Sequence, residues 1–270
     1  MLNKQIVGII PAAGKATRLG HLPLSKEIYP IGFEKMDGIN VPKVVSSYLF
    51  ENFAEAGITE IHFILRQGKW DIPAYFGSGD RYKVNICYHL ARYGYGVPFS
   101  VNQAYPFIKD KIVALGFPDI LIDPRAIYVD VIKTLLASED YTMVLGLIPT
   151  DKPDIGDMTE YDEDLMVKDM HVKSQEHAHL KYTWIVAVWK PEFTAFLNDF
   201  ILKELSTRSE KELAIMNYQM GDSIVTAIKT GMKAKAVLFE HGSFLDIGTP
   251  EDLRIAGEYL KKYSTDKTSK

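Results

Sequence analysis

Cys87 is the only cysteine in this 270-residue chain. No internal disulfide can form, and a reducing cytosol is the compartment to expect. Placed between Ile86 and Tyr88, Cys87 itself reads as a small buried apolar residue rather than a catalytic thiol. A surplus of either charge is also missing. Lys and Arg total 31 against 35 Asp and Glu, a net charge of -4, which argues against a protein that coats a nucleic acid polymer and leaves room for a local basic pocket for a small phosphate. No apolar run approaches the ~20 residues that span a bilayer. The opening MLNKQIVGIIPAAG lacks the layout of a cleaved signal and reads as a buried strand, so no membrane partner is expected. Repeats and low-complexity linkers are absent too. The whole of 1–270 is therefore expected to form one domain, long enough to bury about 75% of its unfolded surface without disulfide or metal staples.

What is present is alternation. Apolar runs of strand length take turns with stretches of helical period, the pattern of a largely parallel α/β sheet. Strands are expected at Gln5–Pro11, EIHFILR, KVNICYHL, KIVALGF, TMVLGLIP, YTWIVAVW, AKAVLF and FLDIG. Helices are expected at PKVVSSYLFENFAEAG, starting near Pro42 and ending at Gly57, then at PRAIYVDVIKTLLASED, PEFTAFLNDFILKELS, MGDSIVTAIKTG and PEDLRIAGEYLKK. Between Thr150 and Lys181 the chain becomes acidic and loop-rich, with MVKDMHVK as a short strand or hairpin. This stretch is expected to form a lobe over the sheet. Parts are thus anticipated at about 1–149, 150–190 and 191–263, with a polar tail at 264–270.

The segment most informative about chemistry is PAAGKATRLGHLPLSKEIYPIG, in which a buried strand runs straight into small residues and then cations. Small residues let backbone amides approach a phosphate, and Arg18 and Lys26 can neutralise it. It is not a P-loop, because Gly14 and Lys15 are followed by Ala16 rather than Ser or Thr. Nor does it carry the Rossmann glycine pattern, since Ala16 and Leu19 replace two of the three glycines.

This segment resembles the signature of the sugar-1-phosphate nucleotidyltransferases, the glucose-1-phosphate thymidylyltransferase-like group, approximately A-G-G-x-G-T-R-L followed by a Lys and a nearby Pro. Here it stands as Ala12, Ala13, Gly14, Lys15, Ala16, Thr17, Arg18, Leu19, with Ser25, Lys26 and Pro30 beyond. Two more landmarks follow in order. Asp119 in ALGFPDILID resembles the family's metal-binding L-G-D with two residues added, and Asp246 in FLDIGTPEDL resembles its W-L-D-T-G-T-P-E-D-L stretch. The resemblance covers nearly the whole chain. It implies a Rossmann-like α/β fold, a mixed and mostly parallel sheet flanked by helices, with an inserted sugar-binding lobe. It implies an enzyme, of a group in which homo-oligomers are common, that joins a nucleoside triphosphate to a sugar 1-phosphate with Mg²⁺. Ala12, Ala13, Gly14, Thr17 and Gly96 would meet the nucleotide. Gly156, Lys173 and Trp184 would meet the sugar phosphate, Arg18, Lys26 and Lys173 would serve catalysis, and Asp119 with Asp246 would hold the metal.

Departures from the family pattern keep alternatives open. Ala16 stands for a glycine, and Ala91 for a base-reading glutamine. Val172 and Ser174 replace the neighbours of Lys173 in the family's E-K-P, so its sugar-gripping carboxylate is missing. A non-catalytic nucleotide-sugar binder and a cytidylyltransferase acting on phosphocholine are therefore weighed beside the leading reading. The histidines His171, His177 and His179 lack the fixed ligand spacing of a zinc site. Asp222 sits where a helix begins and can serve as its cap.

Overall fold

The computed structural model describes residues 5–36 and 38–265. Its strands are β1 (Ile6–Ala12), β2 (Pro30–Met36), β3 (Ile39–Val44), β4 (Glu60–Leu65), β5 (Asn85–Leu90), β6 (Ile112–Leu115), β7 (Ile120–Asp123), β8 (Met143–Pro149), β9 (Asp157–Tyr161), β10 (Val167–Val172), β11 (Tyr182–Trp189), β12 (Ala234–Leu238) and β13 (Ser243–Asp246). The helices are α1 (Val45–Glu55), α2 (Asp71–Phe76), α3 (Val97–Val101), α4 (Tyr105–Ile108), α5 (Ile127–Leu136), α6 (Pro191–Thr207), α7 (Glu210–Met216), α8 (Met220–Lys229) and α9 (Pro250–Thr265).

Parallel pairing joins β6 to β1, β1 to β4 and β4 to β5, and a second parallel pair joins β8 to β12. The long β11 runs antiparallel to β8 along one edge and to β6 at Ala187–Trp189 along the other, which knits the two parallel blocks into one sheet. Central parallel strands are covered on both faces and so read as unbroken apolar runs. In β1, Ile10 packs with Phe50 and Phe53 of α1 on one face, while Val7 and Ile9 pack toward Trp189 and Phe193 on the other. Near the far end of β11, Thr183 pairs with Met158 of β9, and β10 completes the lobe. Among the described residues no helix is long and apolar enough to cross a membrane.

Four local expectations are corrected. The helix expected to start near Pro42 starts at Val45, and Pro42 lies in β3 of the antiparallel hairpin β2–β3. Proline lacks an amide donor but fits a short edge hairpin. Cys87 is exposed, because β5 is the outermost strand of the sheet beside β4. The acidic run from Asp151 is not loop throughout, since β9 begins at Asp157. The proposed tail starts late: α9 continues to Thr265, and 266–270 lie outside the described residues.

Candidate active site

The carboxyl end of β1 opens into the signature loop. Ala12 is buried in the strand, and Ala13 and Gly14 line a cleft of about 510 Å³ together with Lys26, Gly96 and Phe117. Ala16 adopts φ 54°, ψ 31°, the left-handed region that costs a residue with a Cβ about 1–2 kcal/mol. That is a physical reason for a glycine at this place in the signature. A short 3-10 turn, Thr17–Leu19, follows, anchored by buried Leu19, with Thr17 exposed and facing none of the clefts described here. Gly96 has φ 123°, and a Cβ there would lie 2.0 Å from the carbonyl oxygen of Tyr218. Only glycine allows the bridge that brings the start of α3 against the residues before α8.

The central geometry is a carboxylate pair built by a two-stranded ladder. β13 runs antiparallel to β7 with Asp246 opposite Ile120, and the Ile247 amide donates to the Asp119 carbonyl at 2.9 Å. Each acid has a cation beside it. Lys26 forms a close ion pair with Asp119, and Arg18 Nη2 stands 4.0 Å from Asp246 Oδ2. Burial works against the Lys26 charge, but the bonded Asp119 carboxylate outweighs it and holds the lysine above its ordinary pKa. Asp246 is pushed up to about 6, first by burial and then by the charge of Asp119, with Lys26 and Arg18 offsetting only part. Lys26 is positioned from behind: the Ser25 amide and hydroxyl donate to Asp71 at 2.6 and 2.8 Å, and the next residue, Glu27, is buried against Lys69 at 2.6 Å.

A second pocket, about 210 Å³, adjoins the first and shares Asp119, Phe117 and Lys173 with it. Gly156, Trp184 and Asp246 also line it. Lys173 leaves β10 with φ 50° and reaches Gln219 Oε1 at 3.3 Å. Arg18 occupies neither pocket. Its guanidinium lies over Gly248, where a Cβ would come within 2.7 Å of Nη2, and it faces a wider cleft of about 860 Å³ on the other side of Asp246. Asp222 forms a capping box with Gln219 at the start of α8.

The structure thus brings together Ala13, Gly14, Lys26, Gly96, Asp119 and Lys173 on one cleft, and Gly156, Trp184 and Asp246 on its neighbour. Ala12 and Thr17 stay outside both. Sequence reasoning missed Phe117, one of the two added residues before Asp119, which lines both clefts. It also missed Asp157, hidden in the acidic run, and Glu27, whose charge gave no hint of burial.

A cationic loop at the end of the first parallel strand, facing paired carboxylates in the sheet's crevice, is an arrangement suited to phosphate chemistry on an α/β fold. The chain belongs to the nucleotidyl transferase family, whose profile matches residues 7–262. A low-salt glycan biosynthesis nucleotidyltransferase, Agl11 of Haloferax volcanii, is 24% identical over 257 residues, which are 94% of this chain and 65% of that protein. The chain therefore spans under two thirds of that relative's length. Among solved structures, a Bacillus anthracis chain assigned as a glucose-1-phosphate thymidylyltransferase, crystallised with sucrose, superposes with a TM-score of 0.77 at 14% identity over 95% of each chain. A UDP-glucose pyrophosphorylase bound to UDP-glucose gives a TM-score of 0.71 at 19% identity, covering 96% of this chain and 99% of the other. These likenesses establish the shared fold.

Proposed function

We propose that this enzyme transfers a nucleotidyl group from a nucleoside triphosphate to a sugar 1-phosphate, releasing pyrophosphate and forming a nucleotide-sugar. The observation that carries the reading is the Asp119–Asp246 pair beside two adjoining clefts, one bordered by the signature loop and the other by Gly156 and Trp184, with Asp119 and Lys173 lining both. The attacking phosphate oxygen is already an anion, so no general base is needed. The barrier is repulsion between two anions and the charge gathered on the leaving pyrophosphate. In this reading Ala13, Gly14 and Gly96 bound the nucleotide, Lys26 draws the two reactants together, Lys173 anchors the sugar phosphate, and the exposed Arg18 swings past Asp246 from the wider cleft to stabilise the departing charge. Thr17 and Ala12 contribute the shape of the loop rather than contacts.

The donor set fits Mg²⁺. Asp119 and Asp246 are hard oxygen donors, and Asp246, its pKa raised first by burial and then by the Asp119 charge, is a carboxylate that a bound cation would stabilise. A bound Mg²⁺ would supply Lewis-acid polarisation of the α-phosphate. The names of the structural neighbours favour thymidylyl or uridylyl transfer to a hexose 1-phosphate. Trp184 speaks against a choline acceptor, since it is 6% exposed and its Nε1 is bonded to Asp157. A trimethylammonium cage needs open aromatic faces. The test is mass spectrometry of products from a grid of nucleoside triphosphates and sugar 1-phosphates, with phosphocholine included. Formation of one nucleotide-sugar supports the reading, and CDP-choline alone sinks it.

A further inference from the structure

The pocket beside Asp246 contains a carboxylate that the proposed chemistry does not use. Asp157 opens β9 and lines this pocket with Lys173, Gly156 and Trp184. Its Oδ2 accepts a hydrogen bond from Trp184 Nε1 at 3.0 Å. Its Oδ1 accepts none among the described residues. The residue is fixed at both ends: Thr183 Oγ1 donates to its main-chain carbonyl at 3.1 Å, and its carboxylate Oδ2 packs so close to Gly221 that a Cβ there would come within 2.5 Å. A glycine in the first turn of α8 thus leaves the space in which the carboxyl sits. Half-burying a carboxylate costs free energy that one hydrogen bond offsets only in part, and burial raises its pKa against the opposing effects of the Trp184 bond and Lys173.

The register of the lobe adds a second observation. Asp157 on β9 pairs directly with Val172 on β10, and Val172 is the position at which the sequence lacks the carboxylate preceding Lys173. Directly paired residues on adjacent antiparallel strands have Cβ atoms about 4.5–5.5 Å apart. An acid can move from one to the other and still reach the same part of the pocket.

We propose that Asp157 is the residue that selects the acceptor, its Oδ1 accepting a hydrogen bond from a ring hydroxyl of the sugar while Trp184 fixes the carboxylate's orientation. The acceptor class is then a hydroxylated ring bearing a phosphate, bound between Lys173 at the phosphate and Asp157 at a hydroxyl. Identifying this ring as the attacking substrate rests on the transferase reading; its recognition by Asp157 does not.

The experiment titrates wild type and Asp157→Asn with α-D-glucose, α-D-galactose and α-D-mannose 1-phosphates and with the 2-, 3-, 4- and 6-deoxy analogues of glucose 1-phosphate, by calorimetry, with turnover measured in parallel. A hydrogen bond to a charged acceptor predicts that one hydroxyl deletion or inversion weakens binding to wild type about 10- to 100-fold. In Asp157→Asn that penalty shrinks to about tenfold or less, because the amide turns its oxygen to Trp184 Nε1 and offers the hydroxyl a neutral N–H donor in place of a charged acceptor. Trp184→Phe provides a second reading: it keeps the carboxylate but frees it, and should shrink the same penalty while leaving the ranking of hexoses intact. The inference is overturned if no hydroxyl matters in wild type, if both variants keep the wild-type penalty, or if phosphocholine binds best and loses its affinity in Asp157→Asn. Should Asp157→Asn fail to fold, the wild-type series and Trp184→Phe still decide. Hydroxyl selection without turnover would refute the transferase reading alone, and turnover with unchanged selection in Asp157→Asn would refute this inference alone.

Discussion

Replacing Asp246 with asparagine should make the protein more stable at neutral pH while removing its activity. The argument starts from the two carboxylates that β7 and β13 hold together. In the folded state the Asp246 pKa rises from 3.8 to about 6, driven by burial and by Asp119. In the unfolded chain that rise is absent. Between pH 4 and 6 the native state therefore holds a proton that the unfolded state releases, so stability falls as pH climbs through this window. At 1.36 kcal/mol per unit the full shift corresponds to about 3 kcal/mol. Because 32% of the side chain still meets solvent, about 1–2 kcal/mol is the expected gain for Asp246→Asn at pH 8. Urea unfolding at pH 8 and at pH 4 reads it directly. The variant should be more stable at pH 8 and nearly equal to wild type at pH 4. A variant that is less stable by the same amount at both pH values would refute the charge argument and make Asp246 an ordinary packing residue.

Other consequences follow from the same geometry. Ala16→Gly should raise stability by about 1 kcal/mol in denaturant melts by relieving the left-handed conformation, provided the strain outweighs the added freedom of the unfolded chain; a clear loss would contradict the strained loop. Gly248→Ala should shift the midpoint little, since the atom it meets is the mobile end of Arg18, yet lower turnover about 10- to 100-fold by displacing that guanidinium. Unchanged kcat would show that Arg18 has no role in the reaction. Lys69→Met should cost about 3–5 kcal/mol, because it leaves Glu27 buried without its cation, and calorimetric unfolding near neutral pH would register any smaller effect as a failure.

Much of this molecule was legible from residue order. Alternating apolar runs announced β1, β4, β6, β8 and β11, since strands buried on both faces have no polar alternation to blur them. The small-residue loop, Lys26 and the two aspartates were visible because their neighbours form long, specific patterns. The β2–β3 hairpin was not, for its faces are half exposed and Pro42 imitates a helix start. Cys87 misled for a related reason: its apolar neighbours suggest a core strand, whereas β5 lies at the sheet edge. Asp157 was hidden by composition. Nothing local distinguishes it from Asp151 or Asp154, and only the pairing of β9 with β10 and the Trp184 bond set it apart. The position of Arg18 on the far side of Asp246 could not be read either, because it depends on Gly248, 230 residues further along the chain.

The most direct test of the central claim is pyrophosphate release by the purified protein with Mg²⁺, a nucleoside triphosphate and a hexose 1-phosphate, compared with Asp119→Asn and Asp246→Asn. The account predicts release that needs the metal and both substrates and falls by at least about 10²-fold in each folded variant. Release that persists in either variant, or that proceeds without the sugar phosphate, would contradict it.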